Sequence, residues 1–554
     1  MVVRGALLLT LLCWFPGSAH AAVTTCIGLR GYSIPPALIS LPTRGGMVHS
    51  AHHIEGAGGG YCRILGNIVS VDSAADPIRF EINLPETWNG KALQFGGAIF
   101  DGYLRESDGR RNTVVSDKGQ ATPLDRGYTT FGSDSGHHKH YLLLPDIFNL
   151  GNSNFGYNAE ERRNFMSDSL KKTHDVAIVV MQAHYGAVPK RMYFIGGSEG
   201  GREAMKVVDL WPKDYDGVIA AYASWNQLET DLQFIHVSQA MYAKGKDGQA
   251  GWLPPAKTKL LRNAVLAACD EEDGLKDGII SNPQGCSFDP SVLRCKDGKD
   301  QRDCLSDGQE RTVLTFSNPQ KSTSAVDNGM KVEPGYNVLR GADLVGNMGW
   351  FAHPFHPPIP FFNSPYYVIA DGIVRTFLVV GPQADLFQIN TSALDSPGHP
   401  ASEILPRVRA ESIAEDASLA DLSPFEQHGG KLLLIHGVAD ATIPTDASVL
   451  LYRRIVQAMG KERADNFVQL YLIPGFGHGQ GVFYAGFDTI GVLDRWSNEG
   501  NRPANLIAVD QNKHGHRRER PMCLWPSWPR FKAGDANAAA NFTCVMSGNV
   551  PATK

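Results

Sequence analysis

The chain has 554 residues, 20% of them charged, and its 52 Lys and Arg nearly balance its 57 Asp and Glu, for a formal net charge of -5. We expect no nucleic-acid partner, because phosphate binding needs a basic face and the chain has no basic run of that kind. Its 58 Gly and 33 Pro stay below the content at which disorder becomes the default. The composition is that of a loop-rich globular protein with one large domain or a few ordinary ones.

The first 21 residues have the pattern of a secretion signal. Arg4 provides a positive charge, residues 6–14 are mostly apolar, and Ala19-His20-Ala21 is a small-x-small cleavage site. The apolar stretch is too short to cross a membrane, and no later segment approaches the ~18 consecutive apolar residues that a span needs. The sequence therefore predicts a signal peptide over residues 1–21, no membrane span, and a secreted or periplasmic protein.

Cleavage after residue 21 leaves eight of the nine cysteines. An even number in an oxidising compartment favours disulfides over free thiols. Spacing favours bridges between neighbours along the chain, although spacing alone does not determine connectivity. The favoured pairs are Cys26 with Cys62, Cys269 with Cys286, Cys295 with Cys304, and Cys523 with Cys544.

The apolar pattern predicts strands and helices in alternation. Residues 79–84 alternate as a half-buried strand does, and residues 92–95 form a strand that ends in a Gly-Gly turn. The other predicted elements are a helix over 168–187, a strand over 191–195, a helix over 203–210, a strand over 431–436, a helix over 446–459 and a strand over 467–472. Strands separated by helices indicate a parallel sheet with crossover connections.

Residues 225–415 differ from this pattern, since strands are scarce, four cysteines cluster and prolines concentrate near residue 360. The sequence predicts an α/β domain formed by residues 22–224 and 416–554. A lid domain over residues 225–415 interrupts it.

Residues 196–200, Gly-Gly-Ser-Glu-Gly, form a G-x-S-x-G pattern between a predicted strand and a predicted helix. That context is typical of a nucleophile elbow, which exposes the serine hydroxyl on a strained turn. The amide of Glu199 would then point at a developing oxyanion. The alternative is a glycine-rich turn in which Ser198 has no chemical role.

A nucleophilic serine needs a base that is itself oriented by an acid, each in a loop after a later strand. Asp440 follows the strand at 431–436, and His478 follows the strand at 467–472. His478 is the one histidine that lies both downstream of Asp440 and directly after a sheet strand. We therefore predict a Ser198, His478 and Asp440 triad; the alternative for His478 is a surface loop.

Two other patterns compete with this prediction. Asp134-Ser135-Gly136 superficially resembles the serine motif of trypsin-like proteases, but no elbow precedes it and the α/β scaffold is wrong. His137, His138 and His140 lie close in sequence, yet without a carboxylate or Cys at ligand spacing they favour a solvated loop over a metal site.

The predicted lid contains an acidic loop over residues 270–279, bracketed by Cys269 and Cys286. Glycines at 274 and 278 allow the backbone to bend so that carbonyls turn inward. The candidate donors are the carboxylates of Asp270, Asp273 and Asp277 and the carbonyls of Leu275 and Ile279. An all-oxygen set in a flexible loop suits Ca²⁺ better than Mg²⁺ or Zn²⁺; the alternative is a plain acidic loop.

Jointly these motifs resemble the tannase and feruloyl esterase family, which includes a mono(2-hydroxyethyl) terephthalate hydrolase. The resemblance covers nearly the whole mature chain. The matching segments are 193–202, 214–217, 270–280, 436–440, 474–478, 520–523 and 542–544.

The resemblance implies an α/β-hydrolase fold, a doubly wound sheet that carries a large inserted lid with a structural calcium. It implies Ser198 as nucleophile, His478 as base and Asp440 as orienting acid. It implies oxyanion donors at Glu199 and Ala98. The calcium ligands that it implies are Asp270, Asp273, Leu275, Asp277 and Ile279.

The chain departs from the family at two places. Members typically carry a bridged pair of cysteines, one before the nucleophile and one after the catalytic His, where this chain has Gly197 and Gly479. The eight remaining cysteines match the family's other four bridges. Ala98 and Ile99 stand where the family is usually glycine-rich, which narrows the cleft beside the oxyanion hole.

The sequence thus predicts a secreted serine esterase that forms an acyl-enzyme with aromatic esters of hydroxycinnamate, gallate or terephthalate type. Its partner is a small ester substrate, and the oligomeric state is open. A lactonase, a peptidase and a non-catalytic binding protein are the alternatives. Candidate lid residues for the acyl pocket, none assigned because such aromatics are more often core, are Trp350, Phe351, Phe361, Phe362, Tyr366, Phe377, Phe387 and Arg375.

Overall fold

The computed structural model describes residues 23–56, 58–104, 107–110, 114–138, 154–243, 251–321, 329–330, 332–344, 363–379, 381, 384–513 and 517–546. The predicted signal peptide lies outside the described residues. So do His140 and four of the candidate lid aromatics, at positions 350, 351, 361 and 362.

Strands occur in both halves of the described chain. In chain order they are β1 (Ser33–Ile34), β2 (Gly46–Ile54), β3 (Tyr61–Ile68), β4 (Ile78–Pro85), β5 (Lys91–Phe95), β6 (Thr129–Ser133), β7 (Arg191–Gly197), β8 (Gly217–Ala221), β9 (Gln320–Lys321), β10 (Val332–Glu333), β11 (Lys431–Gly437), β12 (Val468–Ile473), β13 (Ala485–Gly486), β14 (Ile507–Asp510), β15 (Glu519–Pro521), β16 (Ser527–Phe531) and β17 (Phe542–Met546).

Helices follow the parallel strands and fill the predicted lid. In chain order they are α1 (Ala159–Arg163), α2 (Ser169–Tyr185), α3 (Glu199–Leu210), α4 (Gln227–Met241), α5 (Pro255–Cys269), α6 (Asp307–Ser317), α7 (Pro365–Ile373), α8 (Leu405–Glu415), α9 (Ser423–Gln427), α10 (Thr445–Met459), α11 (Lys461–Phe467) and α12 (Thr489–Glu499).

The described strands include a ten-stranded sheet with the order β1-β2-β3-β4-β6-β5-β7-β8-β11-β12. From β6 to β12 in that order, neighbouring strands are parallel, whereas β1 to β4 add an antiparallel ribbon that also joins β6. The parallel α/β sheet predicted from the strand-helix alternation is confirmed. The antiparallel ribbon was predicted only in part, through the strand at 79–84.

Helices cover both faces of this sheet, and the alternation of side chains along β7 shows how. Phe194 packs on the face covered by α2, α3 and α10, while its neighbours Tyr193 and Ile195 pack on the face covered by α12. All three are fully buried. Burying each such side chain contributes about 1.5–3 kcal/mol, so the strand that leads to Ser198 is held from both sides.

The segment predicted as the lid has an apolar cluster that joins α4 to α8. Tyr366 and Phe377 belong to its buried part, and Phe387 packs against it, so these aromatics serve the core of that segment. Arg375 pairs with Asp371 at 2.8 Å. No helix among the described residues combines the length and apolarity needed to cross a membrane.

The structure joins the cysteines in the pairs that spacing favoured. Cys26 is bonded to Cys62, Cys269 to Cys286, Cys295 to Cys304, and Cys523 to Cys544. Each bridge closes a short loop, from 9 to 36 residues in separation. A disulfide of this kind typically adds about 2–4 kcal/mol to stability by restricting the unfolded chain.

One carboxyl group in this fold predicts a pH dependence of stability. Glu333, on β10, has no exposed surface and accepts a hydrogen bond from the Asn226 side chain. Burial raises its pKa well above the usual value, Glu229 raises it further, and the Asn226 contact offsets part of the rise. Because the pKa of Glu333 is higher in the folded state than in the unfolded state, the folded protein is most stable, as far as this group is concerned, below the unfolded-state pKa. That contribution to stability is lost as the pH rises toward the folded-state pKa.

We therefore expect Glu333→Gln, which cannot ionise, to raise Tm at pH 8 and to change it little at pH 5. The rise in Tm is expected because one ionising group changes the free energy of unfolding by up to about 1.4 kcal/mol per pH unit. Thermal melts at both pH values measure it, with Glu55→Gln as a control because the Glu55 side chain is 87% exposed. An equal change in Tm at the two pH values would contradict the prediction.

Candidate active site

Ser198 stands at the sharp turn between β7 and α3. Its backbone has φ 61° and ψ -122°, a conformation that non-glycine residues rarely adopt. The Ser198 amide donates to the Ala221 carbonyl at 3.1 Å, and its carbonyl accepts from the amides of Gly201 and Arg202. A Cβ at Gly196 would lie 2.0 Å from the Gly200 oxygen, so the turn needs glycine there. This is the geometry of the predicted nucleophile elbow.

Two further loops bring an imidazole and a carboxylate to the serine. His478 follows β12 and Asp440 follows β11, so all three groups lie at the carboxyl ends of parallel strands. His478 Nε2 lies 2.9 Å from Ser198 Oγ, and His478 Nδ1 lies 2.9 Å from Asp440 Oδ2. The three residues named from sequence thus form one continuous hydrogen-bonded chain.

The environment of Asp440 favours its ionised form. Its side chain has no exposed surface, and Oδ1 accepts from the amides of Thr442 and Ile443 at 2.7 and 3.0 Å. Burial alone would raise the pKa of Asp440, but His478 and His436 hold it below its usual range. An ionised Asp440 requires the proton of His478 on Nδ1, which leaves Nε2 free to accept the Ser198 proton.

His436 is a supporting residue that the sequence reasoning missed. It is fully buried, and its Nε2 lies 3.3 Å from Asp440 Oδ2 and 3.2 Å from the Ile443 carbonyl. Nε2 therefore carries the proton, and Nδ1 accepts from the Ser448 hydroxyl at 2.8 Å. The available signal was its place at the end of a buried strand, four residues before Asp440.

The amide of Glu199 begins α3 directly after Ser198, as the elbow requires. Positive charge at the start of a helix favours an anion there. The Glu199 side chain turns inward, is 4% exposed and accepts from Arg202 Nε at 2.8 Å. The backbone of Glu199, and not its carboxylate, is therefore the group placed beside the nucleophile.

Ala98, predicted as the second oxyanion donor, lies in the turn that follows β5. Its amide donates to Asp101 Oδ1 at 2.5 Å, so in this conformation it is not open to a substrate oxygen. The preceding amide, of Gly97, donates to Glu203 Oε2 at 2.7 Å. The carboxylate of Asp101 reaches this place because residue 97 is glycine, where a Cβ would lie 2.1 Å from Asp101 Oδ2. Neither Asp101 nor Glu203 was singled out from sequence.

A cavity of about 810 Å³ opens at Ser198 and His478. The glycine-rich turn at 96–99 and the loops at 114–126 and 484–490 form its walls. Its aromatic residues are Tyr222, Tyr484 and Phe487, and its basic residues are Arg110, Lys118 and Arg126. The acyl-pocket candidates in the described part of the predicted lid are thus not among its wall residues.

The competing serine and histidines have structural partners. Ser135 is 1% exposed, and its hydroxyl donates to the Asp101 carboxylate, which in turn accepts from the Ala98 amide in the turn at 96–99. His137 Nε2 lies 2.8 Å from the Phe100 carbonyl, and His138 lies 3.4 Å from Asp134. Ser135 is too buried to act as a nucleophile on an external substrate.

The acidic loop bends as predicted, with φ 93° at Gly274 and φ 80° at Gly278. Asp270 accepts from the amides of Gly278 and Ile279, while Asp277 pairs with Arg520 at 2.6 Å. Across the described ranges, no three His, Cys, Asp or Glu side chains are grouped so as to hold a metal ion.

The donor chemistry of the loop nevertheless suits a hard cation. Burial raises the pKa of Asp273 to about 6, and the carboxylate of Asp277 adds to the rise. The pKa of Asp270 is raised by the same two causes. Carboxylates that destabilise one another in this way are the oxygen donors that a divalent cation would stabilise.

The chain is similar to known proteins over most of its length. A family model described as tannase and feruloyl esterase matches residues 62–545. An uncharacterized esterase of Agrobacterium fabrum is 32% identical over 538 residues, which cover 95% of this chain and 93% of the relative. A mono(2-hydroxyethyl) terephthalate hydrolase of Piscinibacter sakaiensis is 27% identical over 541 residues, which cover 88% of this chain and 85% of the relative.

Solved structures show the fold. Feruloyl esterase B from Aspergillus oryzae superposes with a TM-score of 0.73 at 22% identity and covers 92% of this chain and 98% of its own. Tannin acyl hydrolase from Aspergillus niger superposes with a TM-score of 0.61 at 19% identity and covers 92% of this chain and 94% of its own. These similarities confirm the predicted α/β-hydrolase fold.

The buried carboxylate predicts a strong effect of Asp440→Asn. The amide cannot favour the proton on His478 Nδ1, so the imidazole loses the tautomer that accepts from Ser198. We expect the rate at which a fluorophosphonate labels Ser198 to fall by roughly 10²–10⁴-fold, the usual contribution of a positioned base. Mass spectrometry of the labelled protein measures this rate. Asp421→Asn, at an exposed loop carboxylate, is the matched control. A loss under tenfold in folded protein would contradict the prediction.

Proposed function

Because the chain belongs to the tannase and feruloyl esterase family and is a carboxylic ester hydrolase, we propose that it hydrolyses esters of aromatic acids through Ser198, His478 and Asp440. The observation that carries the proposal is the unbroken chain of hydrogen bonds from the buried Asp440 to Ser198 Oγ. That chain ends in a cavity large enough for a substrate.

The mechanism follows from the positions of the protons. As Ser198 Oγ attacks the ester carbonyl, His478 Nε2 accepts the hydroxyl proton, and the ionised Asp440 stabilises the imidazolium. The amide of Glu199 donates to the oxyanion of the tetrahedral intermediate. The C–O bond to the alcohol then breaks, and His478 returns the proton to the leaving oxygen.

The second half of the reaction repeats these steps with water. His478 takes a proton from a water molecule as its oxygen attacks the acyl-enzyme carbonyl. The bond to Ser198 Oγ breaks, the serine recovers its proton from His478, and the carboxylic acid leaves. Splitting the reaction in this way replaces one difficult displacement by two that use the same base.

The cavity walls support an aromatic acyl group. Tyr484 and Phe487 offer ring faces, and the basic side chains on its walls suit a phenol or carboxylate on the substrate ring. Relatives named feruloyl esterase and mono(2-hydroxyethyl) terephthalate hydrolase act on esters of this class by their names. We therefore place the substrate among hydroxycinnamate, gallate or terephthalate esters.

Lactonases and peptidases use the same triad, and a binding protein on this fold would lack a triad member. The named relatives are esterases or hydrolases of esters, which favours the ester reaction. A lactone or an amide as the preferred substrate is an outcome that the substrate panel below distinguishes.

We further propose that the enzyme is exported, to the periplasm or outside the cell. Four disulfides support this, because they persist in oxidising compartments. The leader pattern over residues 1–21 supplies the signal.

We also propose a structural calcium ion in the acidic loop. Its residues would be the carboxylates of Asp270, Asp273 and Asp277 and the carbonyls of Leu275 and Ile279. The ion would supply positive charge to a loop in which the Asp277 carboxylate raises the pKa values of Asp270 and Asp273. It takes no part in the ester reaction.

A panel of esters tests the function. We expect turnover of at least one of methyl ferulate, methyl gallate or mono(2-hydroxyethyl) terephthalate, with loss of at least about 10³-fold in kcat for Ser198→Ala. Release of the acid is followed by chromatography, and Ser291→Ala at an exposed turn is the control. Turnover that survives Ser198→Ala would overturn the assignment, and a preference for lactones or amides would overturn the substrate class.

Removal of metal tests the calcium site. We expect EDTA to lower Tm by roughly 2–3 °C relative to protein in excess Ca²⁺, the effect on a chain of this length of an ion present at about 100 times its Kd. Mg²⁺ should restore little of the loss. Asp273→Asn should abolish the response to Ca²⁺, whereas Glu271→Gln should keep it, because Glu271 is 71% exposed and pairs with Lys276. A Tm that EDTA leaves unchanged would refute the site.

A further inference from the structure

We propose that Tyr222 is a positioning residue that holds His478 against Ser198, by filling the space that Gly197 and Gly479 leave open. The proposal rests on the proposed function, because it concerns the base and nucleophile named there. Tyr222 is distinct from the triad, since it acts on the imidazole by packing and carries no proton in the reaction.

The backbone places Tyr222 at the centre of the site. It follows β8 directly, and β8 lies between β7, which ends at Ser198, and β11, which leads to Asp440. Its amide donates to the Ile435 carbonyl on β11 at 2.6 Å. Its φ of 35° is a strained conformation for a bulky residue, of the kind that accumulates at functional sites.

The ring end of Tyr222 lies between two glycines of different loops. A Cβ added at Gly197, in the elbow, would lie 2.7 Å from Cε2, 2.8 Å from Cζ and 2.8 Å from Oη of Tyr222. A Cβ added at Gly479, beside His478, would lie 3.4 Å from the same Oη. A side chain at 197 would therefore require the tyrosine ring to shift, because the ring occupies the gap between the elbow and the histidine loop.

The same ring packs on the catalytic imidazole. The ring centroids of Tyr222 and His478 are 4.7 Å apart with planes inclined by 55°. The ring centroid of Tyr222 lies 6.1 Å from that of Phe476, two residues before His478, and 6.5 Å from that of His436. Tyr222 is 7% exposed, so its ring cannot move without disturbing these neighbours. The Tyr222 ring thus limits the space in which the His478 imidazole can turn.

Packing, and not the hydroxyl, carries this role. Tyr222→Phe should keep kcat within about threefold, because the ring remains against His478. Tyr222→Ala should lower kcat and the rate of fluorophosphonate labelling of Ser198 by roughly 10–100-fold, since a displacement near 1 Å at a reacting group has an effect of this size. KM for a small p-nitrophenyl ester should change less than threefold, and the shape of the kcat/KM pH profile should persist.

A double-mutant cycle tests the steric contact between the Tyr222 ring and a side chain at residue 197. Gly197→Ala alone should lower kcat at least tenfold, because its Cβ meets the ring. In the Tyr222→Ala background the same substitution should have no further effect, because the three atoms that it meets are gone. Additive losses in the cycle, or a Tyr222→Ala variant with the parental kcat, would overturn the proposal. Tyr157→Ala, at a residue 47% exposed, is the control.

Two further comparisons keep the outcome unambiguous. If Tyr222→Ala does not fold, as thermal melts show, Tyr222→Leu replaces it in the cycle, because Leu lacks Cε2, Cζ and Oη. If Ser198→Ala retains esterase activity, the proposed function itself fails. If Ser198→Ala is inactive while the Tyr222 variants behave like the parent, only the role of Tyr222 fails.

Discussion

The position of the nucleophile depends on one buried cation, Arg202 in the first turn of α3. Its side chain has no exposed surface, and a buried charge is tolerated only when it is fully paired. Its partners are the Glu199 carboxylate and the carbonyls of Phe165, Met166 and Glu415. These belong to the elbow, the junction of α1 and α2, and the end of the predicted lid. Arg202 thereby anchors the strained turn at Ser198 to two other parts of the chain.

The other side of the site is supported by contacts between loops. Asp440 is locked by two backbone amides and by His436, so its carboxylate has little freedom to move. The histidine loop in turn rests on the acidic loop, because a Cβ at Gly475 would lie 2.9 Å from Cγ1 of Ile279. A cation that orders the acidic loop would therefore also steady the loop that carries His478.

Much of the parallel sheet could be predicted because its strands are short apolar runs that stand out in the local sequence. Within the run at 431–436, residues 432–435 are all apolar and are buried in β11, and the helix predicted at 168–187 is α2 at Ser169–Tyr185. The ribbon of β2 and β3 was missed because its burial is decided by pairing across strands. In β3, buried positions alternate with half-buried ones that include Arg63 and Asn67, a weak signal until β2 and β4 lie on either side.

Local sequence pattern also determined which residues stand at the ends of the parallel strands, because a nucleophile elbow and its partner loops have recognisable sequence contexts. Ser198, Asp440 and His478 were predicted in this way. Tertiary structure alone decided what surrounds them. The Ala98 amide is taken by Asp101, His436 braces Asp440, and Tyr222 fills the gap between Gly197 and Gly479. These contacts depend on distances between groups that the folded loops bring together, and periodicity along the chain does not encode such distances.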